Sequence, residues 1–117
     1  MKSAYEMVRA DSQGNPAILL SGEIDISNAA HLARDLKGSV SNLDHELILD
    51  LSRVTYIDSA GIRVMFDLAR RLKDHQERLV LVVPESSGVR RSLILGGLLR
   101  AVEVLEAFPR AELETDS

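Results

Sequence analysis

The sequence predicts an α/β domain with a mixed, mostly parallel sheet of four to five strands and about four helices. Short apolar runs typical of buried strands alternate with stretches whose apolar residues recur three or four apart, typical of helices. The resulting order is β-β-α-β-α-β-α-β, which calls for a parallel sheet. The first two strands are joined by too short a connection for a parallel crossover, so the first strand is expected to be antiparallel.

The N-terminal segment predicts a hairpin followed by a helix. Tyr5–Ala10 alternates polar and apolar residues, Ala17–Leu20 is an apolar run, and the turn-forming residues Asp11–Pro16 lie between them. In the helix that follows, Asp25 or Ser27 is expected to cap the first turn. The apolar residues of this helix are Ile26, Ala29, Ala33, Leu36 and Val40.

The middle of the chain predicts a buried strand and a second helix. Leu47–Leu51 is a short apolar run of the kind found in buried strands. A linking stretch is expected after it. The second amphipathic helix should then end near His75, and its apolar residues are Ile62, Met65, Ala69 and Leu72.

The last third of the chain predicts two further strands and a shorter helix. Leu79–Val83 is the clearest strand, stopped by Pro84. A third helix, with Val89, Leu93 and Leu98 as its apolar residues, should break at Gly96–Gly97. Val102–Leu105 is expected to be an edge strand. The acidic tail beyond Pro109 is expected to form a short helix or to fray.

Length and composition place the chain among single-domain globular proteins. The 117 residues suit one domain spanning 1–117, with an ordered core at about 4–107 and an acidic tail at 108–117. A formal charge of −4 and 3% aromatic residues argue against a nucleic-acid partner. Without cysteine, disulfides and thiolate metal sites are excluded. No apolar stretch is long enough for membrane insertion, so a cytoplasmic protein is expected.

Two motifs should meet at one edge of the sheet. Ser21–Asp25 is expected to follow the second strand, and Thr55–Gly61 is expected to follow the third. The carboxyl ends of parallel strands lie at the same edge, where α/β folds place their sites. The sequence therefore predicts a site that both motifs share.

Within this site Ser59 is the candidate residue, because it should stand at the start of the second helix. A phosphate on its hydroxyl would lie near the positive end of the helix dipole and the expected free N–H groups of Ala60, Gly61 and Ile62. Arg63, four residues on, could pair with that phosphate. Gly61 should keep the first turn small and the hydroxyl accessible. Asp58 or Ser59 could equally serve as a helix cap.

A hydrolase is the enzymatic alternative, since a serine between a strand and a helix resembles a nucleophile elbow. Here Ile57 stands where that motif requires its first glycine. No general base is evident either. His75 should lie roughly 24 Å along the same helix, His45 should be at the opposite sheet edge, and His31 has no evident orienting carboxylate. The histidines also lack metal-ligand spacing. The residues thus predict no enzyme, no metal and no cofactor.

Several of these segments together resemble the STAS domain of bacterial anti-sigma factor antagonists. The similarity covers about residues 4–107, and the combination of Gly-Glu-Ile-Asp with a downstream Asp-Ser-x-Gly is specific. The segments are Leu20–Asp25, Leu47–Ser52, Tyr56–Ile62 and Gly97–Leu98. The resemblance implies the STAS fold and a protein that binds an anti-sigma factor serine kinase and thereby releases a sigma factor.

The resemblance also implies a switch at Ser59. In the family the kinase phosphorylates this serine, which abolishes binding, and a PP2C-type phosphatase restores it. Ala60 stands where some members carry a second hydroxyl, and Arg63 stands where some carry glycine. The implied partner-binding residues are Glu23, Asp25, Asp58, Ser59, Ala60, Gly61 and Arg63. Other STAS domains serve in membrane lipid-transport complexes or signalling scaffolds, and this alternative stays open.

Overall fold

The structure, a computed structural model, describes residues 4–12, 14–40 and 46–109. It contains a mixed five-stranded sheet with helices against one face. The strands are β1 (Tyr5–Ser12), β2 (Asn15–Ile24), β3 (Glu46–Ile57), β4 (Arg78–Val82) and β5 (Glu103–Leu105). The helices are α1 (Ala29–Ser39), α2 (Ser59–Asp74), α3 (Arg90–Leu95) and α4 (Leu98–Ala101). The predicted fold class is confirmed.

The strands follow chain order across the sheet, β1-β2-β3-β4-β5. β1 runs antiparallel to β2, while each of the other neighbouring pairs is parallel. The antiparallel first strand and the edge strand near residue 103 are therefore confirmed. In the hairpin turn Gly14 has φ +83, a left-handed conformation that glycine adopts without a steric penalty.

The two faces of the sheet differ in how they are covered. All four helices contribute to the larger core, through buried residues such as Leu32, Leu36, Met65, Leu93 and Leu98. The opposite face carries a smaller apolar cluster of Ala17, Ile48, Val80 and Val82. Phe108 packs against this second cluster. The sequence places the start of the acidic tail at residue 108, but Phe108 belongs to the folded domain; residues 110–117 lie outside the described part.

β2 and β3 are longer than the sequence indicates. β2 continues to Ile24, so Ser21 to Ile24 form the end of the strand and do not follow it. β3 continues to Ile57, and the linking stretch expected after Leu51 does not exist. The pairing of β2 with β3 shifts register twice, between Leu19 and Ser21 and between Gly22 and Glu23. These bulges break the alternation of apolar residues, which is why the sequence pattern does not reveal the second half of β3.

The start of α1 also differs from the prediction. The helix begins at Ala29 with Asn28 at the N-cap position, so neither Asp25 nor Ser27 caps it. Ile26, expected on the buried side of this helix, lies before it and is exposed. The buried residues of α1 are Ala29, Leu32 and Leu36. The apolar spacing of α1 therefore continues one turn beyond the start of the helix, into the preceding loop.

The remaining helices agree more closely with the sequence. α2 ends at Asp74 with His75 as its C-cap, as predicted. Gly96–Gly97 separates α3 from α4, so the predicted break divides two short helices. Within the residues described, no helix combines the length and apolar character that crossing a membrane would require.

Candidate functional site

The carboxyl ends of β2 and β3 bring the two motifs together. Asp25 follows β2 and Asp58 follows β3, directly before α2. The Asp58 N–H donates to the Ile24 carbonyl at 3.2 Å, and the Ile26 N–H donates to Asp58 Oδ2, also at 3.2 Å. The prediction that the motifs meet at one edge is therefore confirmed. A single aspartate holds both loops.

Asp58 is also the N-cap of α2. Its Oδ1 accepts the Ala60 N–H at 2.9 Å and the Gly61 N–H at 3.2 Å. Its backbone carbonyl accepts the Ile62 N–H at 3.0 Å. The expectation that these three N–H groups are free for a phosphate is therefore wrong, because Asp58 already satisfies all of them. Asp58 forms the cap itself, and Ser59 becomes the first helical residue.

Asp25 organises the loop between β2 and α1. Its Oδ1 accepts hydrogen bonds from the Ser27 N–H at 2.9 Å and the Ser27 hydroxyl at 2.6 Å. The Asp25 N–H in turn donates to Asn28 Oδ1 at 3.0 Å, and Asn28 Nδ2 donates to the Glu23 carbonyl at 2.9 Å. Side chains thus replace the missing secondary structure in this loop and hold its backbone in place.

Asn28 is the residue of this site that the sequence analysis overlooked. An asparagine three residues after an aspartate and directly before a helical pattern is a recognisable turn signal. Its side chain accepts the Asp25 N–H and donates to the Glu23 carbonyl. These two hydrogen bonds form because the backbone of the loop brings Glu23 and Asp25 close to the Asn28 side chain.

Ser59 is exposed at the first turn of α2. Its side chain makes no hydrogen bond within the described part of the chain. Glu23 and Arg63 are exposed as well, whereas Asp25, Asp58 and Ala60 are half-buried. The site therefore presents a free hydroxyl on a backbone that its neighbours immobilise.

Gly61 is buried beneath the first turn of α2. A Cβ added there would lie 2.7 Å from Ile57 Cγ1 and 2.8 Å from Ile24 Cγ2, closer than carbon atoms approach without displacement. The expected small first turn is present, but its reason is contact with the sheet. Gly61 lets α2 start directly against β2 and β3, and this close contact holds Ser59 at the edge.

One of the three histidines, His31, differs from the expectation that it has no carboxylate beside it. His31 does have a neighbouring carboxylate, because its Nδ1 lies 3.4 Å from Asp35 Oδ2. The Tyr5 hydroxyl donates to the same Asp35 oxygen at 2.5 Å and lies 2.8 Å from His31 Nδ1. Burial and the Asp35 hydrogen bond raise the pKa of Tyr5. His75 is exposed at the far end of α2; His45 lies outside the described residues.

Fold and site together define the class: a small α/β domain whose site lies at the carboxyl ends of the parallel strands of a mixed sheet. The STAS domain family model matches residues 8–111, which is nearly the whole chain. The chain belongs to the STAS domain family.

Curated relatives and a solved structure agree with this assignment. The anti-sigma-F factor antagonist RsfB of Mycobacterium tuberculosis is 30% identical over 89 residues, which cover 76% of this chain and 71% of RsfB. The putative anti-sigma factor antagonist BtrV of Bordetella bronchiseptica is 39% identical over 62 residues. That match spans about half of each protein, 53%.

The fold is similar to that of an anti-sigma factor antagonist from Mycobacterium paratuberculosis. The TM-score is 0.79 at 22% identity, covering 97% of this chain and 96% of that one. At this level of identity the similarity supports the fold.

Proposed function

We propose that this protein is an anti-sigma factor antagonist without catalytic activity of its own. It binds a cognate anti-sigma factor that is also a serine kinase, and this binding releases a sigma factor. Phosphorylation of Ser59 by the kinase ends the interaction, and a PP2C-type phosphatase restores it. Such a switch operates in the cytoplasm, where sigma factors act.

The observation that carries this proposal is the setting of Ser59. Its hydroxyl is exposed, it forms no hydrogen bond with the described residues, and it stands on a backbone that Asp58 holds through hydrogen bonds to Ala60 and Gly61. A kinase needs an accessible hydroxyl, and a tight partner needs a preorganised surface. Relatives named as anti-sigma factor antagonists support the same function.

The remaining residues of the proposed interface lie at the end of β2, on the two loops that follow β2 and β3, and in the first turns of α2. Glu23 and Arg63 are exposed, and Asp25, Asp58 and Ala60 are partly so. Gly61 is buried, so it contributes to the interface by positioning the first turn of α2 and does not contact the partner itself.

The switch draws its energy from the interface and leaves the fold unchanged. A helix N-terminus stabilises an exposed anion by only about 0.3–1 kcal/mol, and here Asp58 already occupies the N–H groups of Ala60 and Gly61. Moving an equilibrium from mostly bound to mostly free needs about 5.5 kcal/mol. A phosphate carrying about −1.5 to −2 charges beside Asp58 must lose its hydration when the partner binds. That desolvation and repulsion are large enough to prevent binding.

Capture experiments with three variants test the proposal. Ser59→Ala is expected to bind the anti-sigma factor and to resist phosphorylation, whereas Ser59→Asp should lose binding. Gln76→Glu is the control for added charge, because Gln76 is exposed beyond the far end of α2, and it should bind as the wild type does. Mass spectrometry identifies the captured protein and the phosphorylated residue.

Two results would contradict the proposal. If wild type and Ser59→Asp capture the same kinase equally and no phosphate from ATP appears on Ser59, the switch does not exist. Capture of a transporter ATPase in place of a kinase would support a role in a membrane lipid-transport complex.

A further inference from the structure

The exposed apolar side chains of this protein are concentrated near Ser59. Among the described residues, five large hydrophobic side chains are exposed: Val8, Ile26, Tyr56, Ile94 and Leu95. Single exposed apolar residues are common on protein surfaces and need no explanation. Four of these five, however, lie on segments at or next to the edge that carries Ser59. Only Val8, in the middle of β1, lies elsewhere.

Ile26 lies on one side of Ser59. Its side chain is 83% exposed, so it contributes almost nothing to the core. Its N–H donates to Asp58 Oδ2 at 3.2 Å, which places Ile26 beside the residue that precedes Ser59. The Asp25 carboxylate holds the next residue, Ser27, through two hydrogen bonds. The loop therefore displays an isoleucine to solvent on a backbone that is held from both sides.

Leu95 and Ile94 lie at the end of α3, with side chains 74% and 53% exposed. The following residue, Gly96, packs against α2, since a Cβ added there would be 3.1 Å from Ile62 Cδ1. Ile62 is one helical turn beyond Ser59. At its start α3 is tied to the residue that follows β4, because Arg90 Nη1 donates to the Val83 carbonyl at 2.6 Å. The end of α3 is thus held close to the first turns of α2.

We propose that Ile26, Ile94 and Leu95, here named the apolar rim, are the contacts that hold the anti-sigma factor at Ser59. This inference rests on the proposed function and adds to it the source of the affinity. A serine side chain offers too little area to hold a protein partner, so binding draws on the neighbouring surface. Ile26 lies beside Asp58, and hydrogen bonds and packing hold the backbone that carries the apolar rim, which lowers the entropic cost of binding.

The apolar rim also defines the kind of partner surface that fits. The anti-sigma factor presents apolar pockets near the cleft that receives Ser59, one for Ile26 and one for the end of α3. Affinity and switching are then divided between different residues. The apolar rim supplies binding energy in both states of the protein, while the phosphate on Ser59 decides whether the surfaces can meet.

Substitutions in the apolar rim test this division. Ile26→Ser and Leu95→Gln remove apolar area at exposed positions, and glutamine is a good helix former, so both variants should unfold at the wild-type temperature. Binding to the purified serine-kinase anti-sigma factor, identified in the capture experiment, is measured by biolayer interferometry. Each substitution should raise Kd at least 10-fold, and the double variant at least 100-fold. Val8→Ser, at a site 55% exposed on β1, should change Kd less than 2-fold.

The possible outcomes separate this inference from the proposed function. If the wild type binds the kinase and the apolar-rim variants bind it equally well, the inference is wrong and the proposed function stands. If the wild type does not bind the kinase at all, both are wrong. If sedimentation shows that the wild type dimerises and the rim variants abolish only this dimerisation, the rim is a contact between copies of the chain, and the inference is again wrong.

Discussion

Replacement of Asp58 tests the central geometric claim, that one carboxylate holds two loops of the site. In Asp58→Ala, the Ala60 and Gly61 N–H groups lose their acceptor Oδ1, and the Ile26 N–H loses Oδ2. In Asp58→Asn, the side chain keeps one oxygen that can cap α2. Asparagine caps helices as well as aspartate does, so this variant should lose only the Ile26 hydrogen bond and the negative charge.

The expected losses follow from these contacts. Removing an N-cap costs about 0.5–2 kcal/mol, and a net hydrogen bond contributes about 0.5–1.5 kcal/mol. Asp58→Ala should therefore lower the free energy of unfolding by about 1–3.5 kcal/mol. Asp58→Asn should lose about 0.8–2.5 kcal/mol, from one hydrogen bond and the charge at the helix N-terminus. Asp67→Ala is the matched control, since Asp67 lies on the same helix in an exposed pair with Arg70 at 3.1 Å. Such pairs contribute below about 1 kcal/mol.

Urea denaturation at a constant m-value measures these differences, and amide hydrogen exchange locates them. In Asp58→Ala, the amides of Ile26, Ala60 and Gly61 should all exchange faster. In Asp58→Asn, only the Ile26 amide should. The reasoning is refuted if Asp58→Ala is no less stable than Asp67→Ala, or if the Ile26 amide exchanges at the wild-type rate in both Asp58 variants.

Two further variants probe the packing around the site and a cluster at its side. Gly61→Ala should destabilise the domain by about 1–3 kcal/mol by overpacking, because the new Cβ would come within 2.7 Å of Ile57. The control is Gly38→Ala, because a Cβ there would have nothing within 4 Å, and this variant should gain up to about 1 kcal/mol of stability. Calorimetry measures both changes. Tyr5→Phe should cost about 1 kcal/mol near neutral pH, by removing the hydrogen bond to Asp35. The folded state raises the pKa of Tyr5 above 10.0, so this advantage of the wild type is fully present below pH 10.0 and should shrink as the pH rises further. Urea titrations at several pH values measure this decline. No decline would be seen if the hydroxyl were unpaired.

Short-range patterns predict most of the fold. The spacing of apolar residues in α2 predicts where this helix ends, and the order of strands and helices predicts a parallel sheet with an antiparallel first strand. The same patterns mislead where tertiary contacts decide. Ile26 continues the spacing of α1, yet the chain there follows hydrogen bonds to Asp25 and Asp58. Bulges in the pairing of β2 with β3 similarly hide the true end of β3.

The sequence by itself determined that a serine stands at the start of a helix, at the edge where two motifs meet. These properties depend on neighbours a few residues apart, which hydrophobic period and capping preference encode directly. The tertiary structure alone decided that Asp58 also accepts the Ile26 N–H from the other loop, and that Gly61 is buried against Ile24 of β2. It also exposed Ile26 and Leu95 near that serine. The contacts of Asp58 with Ile26 and of Gly61 with Ile24 join residues more than thirty positions apart. Their geometry depends on the register of β2 against β3, which no local pattern specifies.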